Sequence, residues 1–167
     1  SSSGKVKLTW KAVEGATKYE IYRATSKTGT YTKLYTTTKT SYTNTSAKPG
    51  TTYYYKVKAI ASKSAANSAY SAVKYITCDC AQPVVKITTS SGHPKLTWSK
   101  IDGATKYEIY RATSKSGTYT KMTTVTGTSY TNTSAKAGTT YYYKVMAIGS
   151  KSAANSAYST IVSIKAK

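Results

Sequence analysis

Phenylalanine is absent from this chain, and proline (3), cysteine (2), histidine (1) and acidic residues (5) are all scarce in its 167 residues. Without Phe, large apolar surface has to come from 18 tyrosines and two tryptophans, rings that bury well but carry a polar tip. The acids are Glu14, Glu20, Asp79, Asp102 and Glu108, and the histidine is His93. That is a thin supply for catalysis, which needs positioned acids, bases or nucleophiles. No Ser-His-Asp set, HExxH, P-loop or dinucleotide motif is present, carboxylates are too sparse for a calcium site, and Arg-Gly-Asp does not occur. The expectation is therefore a chain with no catalytic residues, no metal and no cofactor. No apolar run approaches the length of about 18 residues that a membrane-spanning helix needs, so no membrane insertion is expected.

The two cysteines form Cys78-Asp79-Cys80. Bonded to each other they would close a strained ring, and two ligands are too few for zinc. Free thiols, a redox-sensitive pair, an intermolecular link and a chance feature of a linker remain as readings, and the last is favoured. His93 falls in a turn, where a solvent-exposed side chain is expected. Its counterpart in an internal repeat, described below, is Lys5.

What the chain has in abundance is positive charge, 25 Lys plus Arg for a net +20. Such a field attracts polyanions and keeps copies apart, which favours a monomer. Nearly all of it is lysine, with Arg23 and Arg111 the exceptions. Reading of base edges favours the guanidinium fork, so specific nucleic-acid recognition is not expected. The opening SSSGKVKLTW lacks an initiator Met and a signal-peptide pattern, and the expectation is a fragment of something longer.

The chain repeats itself. Trp10 and Trp98, Arg23 and Arg111, and Asn67 and Asn155 are each 88 positions apart (98 − 10), and residues 7–76 align with 95–164 without a gap. Each repeat contains short runs rich in β-branched and aromatic residues, such as KLTW (95–98), KYEIYRA (106–112), TYTKMTTV (118–125), TSYT (128–131), TTYYYKVMAI (139–148) and YSTIVSIKA (158–166). Gly, Asn, Ser and Lys clusters separate them, which predicts strands rather than helices. In TTYYYKVKAI (51–60), alternation puts Tyr53, Tyr55, Val57 and Ala59 on one face and Tyr54, Lys56 and Lys58 on the other. The second repeat begins with PVVKITTSSGHP (83–94), a further strand and turn, where the first has only SSSGKV. Either the fragment begins inside the first repeat or that repeat lacks its leading strand, and an unpaired edge would make it the less stable of the two.

Units of this size, with KLTW carrying Trp10 or Trp98, GATKYEIYRA, and KPGTTYYYKVKA or KAGTTYYYKVMA, resemble the fibronectin type III sandwich. The resemblance covers both halves, and the wording is similar to that of tandem arrays on secreted and wall-attached proteins of Gram-positive gut bacteria. It implies an all-β chain of two tandem fibronectin type III-like (immunoglobulin-like) β-sandwiches, the first lacking its N-terminal strand. Repeat 1 would span 1–77, a linker 78–83 and repeat 2 84–167. It implies that Tyr53 and Tyr141 are tyrosine corners, bonded back to the backbone a few residues upstream, and that Trp10 and Trp98 are core residues. Ala47 and Ala135, where the family has Leu, and Ala137 in place of Pro49 depart from the pattern.

Function follows from the same resemblance: a non-catalytic spacer or presentation module of a larger extracellular bacterial protein, with neighbouring domains of the same chain as partners. The alternative is a binding module for host glycans or anionic wall polymers. Its contact residues would be Tyr22, Arg23, Tyr54 and Lys56, repeated as Tyr110, Arg111, Tyr142 and Lys144. Glu20 and Glu108 are expected to meet Lys56 and Lys144 across strands. Strand exchange is conceivable at the incomplete first repeat. The Asn-Thr-Ser sequences at Asn44 and Asn132 are read as chance, and no buried acid can be placed beside a Lys-Asn pair to support an isopeptide bond.

Overall fold

A computed structural model describes residues 4–63 and 66–167. The chain divides into two compact units, Lys5–Cys78 and residue 4 with Asp79–Lys167, referred to below as the first and second unit.

The first unit contains β1 (Val6–Thr9), β2 (Ala16–Ala24), β3 (Thr32–Thr37), β4 (Ser41–Asn44), β5 (Thr52–Ala61) and β6 (Lys74–Thr77). β3-β2-β5-β6 form one antiparallel sheet, and β1 pairs with β4 in another. The second unit contains β7 (Lys86–Ser90), β8 (His93–Thr97), β9 (Ala104–Ala112), β10 (Thr120–Val125), β11 (Ser129–Thr131), β12 (Thr140–Gly149) and β13 (Val162–Lys165), with a 3₁₀ turn at Ser152–Ala154. Its sheets are β10-β9-β12-β13 and β11-β8-β7.

Alternation builds each core. Along β12, Tyr141, Tyr143, Val145 and Ala147 are buried while the residues between them are not, because successive side chains of a strand point to opposite faces. They pack with Leu96, Trp98, Tyr107 and Ile109. In the first unit Tyr53 and Tyr55 pack with Val6 and Ile21, and Trp10 lies half-buried against them. The ring edge of each tryptophan meets a tyrosine, Trp10 with Tyr19 at 5.5 Å and Trp98 with Tyr107 at 5.2 Å between centroids. This arrangement suits the aromatic quadrupole.

The stretch 158–166 is strand only over its last part, and the reason is chemical. Beside β12, the Ser156 and Ser159 hydroxyls accept the Ala147 and Val145 N–H groups at 2.9 and 3.0 Å. Asn155 Oδ1 accepts that of Gly149 at 3.1 Å. The first unit does the same with Ser68, Ser71 and Asn67 against Ala59, Val57 and Ala61. Side-chain oxygens thus stand in for a neighbouring strand's carbonyls, which is the job of the repeated Asn-Ser-Ala-Tyr-Ser. Sequence reading missed it.

His93 is not the exposed turn residue expected. Ser90 pairs with His93 across a two-residue turn in which Ser91 and Gly92 both have positive φ (48° and 79°), so His93 begins β8 and is half-buried. The stretch 78–83, read as a linker, is likewise packed. Cys78 is 1% exposed in the first core and Cys80 0% in the second, and Pro83 is also buried. Both cysteines pack as small core residues.

Candidate functional site

The outer face of the large sheet in each unit gathers most of the residues singled out from sequence. In the first unit β2 supplies Glu20 and Tyr22, and β5 supplies Tyr54 and Lys56, with Tyr22 directly opposite Lys56. The Lys56 Nζ stands 3.8 Å from the centroid of the Tyr70 ring, 4.6 Å from Tyr31 and 6.0 Å from Tyr22. Tyr22 and Tyr70 meet edge to face at 5.1 Å. The ammonium therefore sits in a cage of three electron-rich faces, each favourable for a cation. The second unit repeats the cage, with Lys144 at 3.9 Å from Tyr158, 4.7 Å from Tyr119 and 5.9 Å from Tyr110.

Tyr22 leads on to a second polar chain. Its hydroxyl donates to Glu20 Oε2 at 2.7 Å, and Lys33 Nζ donates to Glu20 Oε1 at 3.0 Å. Tyr110, Glu108 and Lys121 match this at 2.6 and 3.0 Å. The expected pairing of Glu20 with Lys56, and of Glu108 with Lys144, is thereby corrected. The register sets Lys58 and Met146 opposite the glutamates, and the aromatic cages hold Lys56 and Lys144. The tyrosine hydroxyl, with the lysine ammonium, holds each carboxyl below its ordinary value, and the carboxylate in turn pushes the tyrosine hydroxyl up.

Arg23 and Arg111 do not join this face. Each lies one residue on from its caged tyrosine partner, so its side chain leaves from the opposite side of the strand. Arg23 covers the Tyr53 ring at 4.9 Å and donates to Ser46 Oγ at 3.1 Å, and Arg111 covers Tyr141 at 4.8 Å. They border the core. Tyr54 lies beside Tyr75 with centroids 5.6 Å apart, and Tyr75 is 72% exposed. Tyr142 has Ser163 in the corresponding cross-strand position.

The structural residues hold turns and core polar groups. Tyr53 and Tyr141 hydroxyls accept the Lys48 and Lys136 N–H groups at 3.0 and 3.1 Å. Tyr19 and Tyr107 do the same for Val13 and Ile101, both at 2.9 Å. Asn44 and Asn132 are wholly buried and donate through Nδ2 to the Tyr55 and Tyr143 hydroxyls at 2.7 Å. Their Oδ1 atoms accept from Ser46 and Ser134. Both amides are thus buried and hydrogen-bonded in the folded units, with no exposed atom to carry a glycan.

Among the described residues no helix is long and apolar enough to cross a membrane, and no cluster of three or more His, Cys, Asp or Glu is present.

No protein-family model matches the chain. Residues of this chain are 40% identical over 65 residues to an amylopullulanase of Thermoanaerobacterium saccharolyticum, covering 38% of this chain and 5% of that enzyme. A match to the amylopullulanase of Thermoanaerobacter thermohydrosulfuricus is 41% identical over 70 residues, 40% of this chain and 5% of the enzyme. The chain thus spans a small part of the curated relatives it matches. Among solved structures, the chicken interferon gamma receptor alpha chain superposes with a TM-score of 0.71 at 12% identity, covering 98% of this chain and 92% of that one. A two fibronectin type III domain segment of chicken tenascin gives 0.59 at 15% identity, covering 98% and 93%. The architecture of this chain is the fibronectin type III β-sandwich.

Proposed function

We propose that this chain is a non-catalytic accessory module of a longer extracellular protein of a Gram-positive bacterium. It consists of two fibronectin type III-like sandwiches in tandem, and it spaces or presents neighbouring domains. The observation that carries this reading is the mutual satisfaction of the outer-face groups. Lys56 is held by three tyrosine rings and Tyr22 by Glu20, and the same contacts recur in the second unit. Groups that neutralise one another make a stiff, wet sheet surface rather than an open receptor. The match to a small stretch of bacterial enzymes supports an accessory position in a longer chain.

A second reading, contact with glycans or anionic wall polymers, is favoured by the half-buried Tyr54 beside Tyr75, whose 72% exposed ring suits stacking on a sugar ring. A glycan and wall-polymer screen of the chain at low and high salt tests the choice. The spacer reading predicts no binding, or binding that salt abolishes. Binding that survives high salt and is lost in Tyr54→Ala with stability intact would establish the receptor reading instead.

A further inference from the structure

We propose that the outer face of the β11-β8-β7 sheet in the second unit is a contact surface for a linear polyol phosphate, a chain of phosphodiesters joined by hydroxylated carbons. The inference rests on the anionic-polymer part of the second reading above, and it gives that contact a face that carries neither Tyr54 nor Tyr142.

Register assembles the surface. Ile87, Leu96 and Tyr130 pack into the core, so alternation turns Lys86 and Thr88 of β7, Lys95 and Thr97 of β8, and Ser129 and Thr131 of β11 outward. Across the strands Lys86, Thr97 and Ser129 form one row, and Thr88, Lys95 and Thr131 form the next. Lys86 and Lys95 are diagonal neighbours, with backbone positions about 7–8 Å apart. None of the five acids of the chain lies on these strands. The first unit repeats part of the pattern, with Lys7 opposite Thr43 and Thr9 opposite Ser41.

The lysines of this face differ from those of the large sheets. Lys33 and Lys121 are paired with glutamates, and Lys56 and Lys144 are caged by tyrosines. Among the described residues, Lys86 and Lys95 have neither kind of partner. Their charge is left for an external anion. Beside Lys86 the face is hollowed, a depression of 280 Å³ with Val84, Lys86, Thr97, Trp98 and Ser99 as its walls. A phosphate seated there meets one ammonium and two hydroxyls, all able to donate to its oxygens.

The occupant follows from what the face lacks. Single-stranded nucleic acid is held by stacking of its bases on aromatic rings as well as by charge. Here Tyr130 turns inward, and Trp98 is 7% exposed and packed against Tyr107. Lysine takes phosphate as a point charge, without the planar fork that reads a base edge. Serine and threonine hydroxyls both donate to phosphate oxygens and accept from polyol hydroxyls. This combination suits a flexible phosphate chain without bases.

A synthetic glycerol phosphate oligomer, titrated into the whole chain over a series of salt concentrations, tests the proposal by calorimetry. The variant carrying Lys86→Gln and Lys95→Gln should bind about tenfold more weakly at about 50 mM salt, and its plot of log affinity against log salt should be shallower by about one to two. Lys86→Gln alone, at an exposed side chain, should give part of the same loss. A control carrying Lys106→Gln and Lys151→Gln has the same net charge and should keep its affinity. Equal losses in the two double variants would show that the charge acts without a site and would overturn the proposal. Binding that Tyr54→Ala abolishes and the Lys86 and Lys95 changes leave intact would overturn it too, while leaving the anionic-polymer reading standing. Absence of binding even at low salt would sink both. Tighter binding of an oligodeoxynucleotide of equal charge, lost in the Lys86 and Lys95 variant, would assign the face to nucleic acid and overturn the occupant proposed.

Discussion

The Lys56 ammonium rests 3.8 Å from the centre of the Tyr70 ring, and its copy Lys144 rests 3.9 Å from Tyr158. A cation held over several rings should contribute on the order of 1 kcal/mol at a partly solvated site. Lys144→Gln is expected to lower the stability of the second unit by about that amount in urea denaturation, and Lys56→Gln to do the same in the first. Unchanged midpoints in both would show that the cages contribute no net stabilisation.

Asn132 offers a sharper test, because it is wholly buried and its amide donates to the Tyr143 hydroxyl at 2.7 Å. Asn132→Ala leaves the Tyr143 hydroxyl buried without its donor, at a cost of about 1–3 kcal/mol. Adding Tyr143→Phe removes the stranded hydroxyl, so the double variant should be less destabilised than the sum of the singles. Strict additivity in that double-mutant cycle would show that the pair is not coupled.

The carboxyl groups of Glu20 and Glu108 are held below their ordinary value of 4.5, first by the tyrosine hydroxyl and further by the lysine. A folded pKa lowered in this way gives stability that is present above about pH 4.5 and is lost as pH falls through the folded value. In Tyr110→Phe the Glu108 carboxyl should titrate at higher pH, by carbon-detected NMR, while Glu20 stays where it was. Equal titration of Glu108 in both proteins would remove the hydrogen bond as the cause. Tyr22 and Tyr110 are raised, so their contribution holds up to about pH 10 and fades above it.

The two units should not unfold together. With β1 paired among the described residues with β4 alone and Trp10 only half-buried, the first unit is expected to unfold at lower denaturant than the second. Fluorescence of Trp98→Phe, which reports on Trp10, should change before that of Trp10→Phe. Coincident transitions would contradict the difference.

Period-two patterning in TTYYYKVKAI told which tyrosines turn inward, since alternation depends on nothing beyond the strand itself. The outer face was legible in part for the same reason, as Tyr22, Tyr54 and Lys56 do share it. Arg23 was not, because nearness in sequence within a strand means opposite faces in space. The ion-pair partner of Glu20 was missed because it depends on register: Lys33 comes from β3, on the far side of β2 from β5.

By itself the sequence determined what is local or repeated: two copies 88 residues apart, strands rather than helices, and tyrosine as the core aromatic in a chain without Phe. Strand alternation and residue type act over a few positions, so they can be read along the chain. Only the tertiary structure decided what each polar tip and charge meets. Tyr31 and Tyr70 reach Lys56 from loops distant in sequence, Ser68 and Ser71 take the place of a neighbouring strand in the β5 ladder, and Cys78 and Cys80 enter separate cores. Those contacts are set by sheet register and by where loops return, and both are determined by packing across the whole unit.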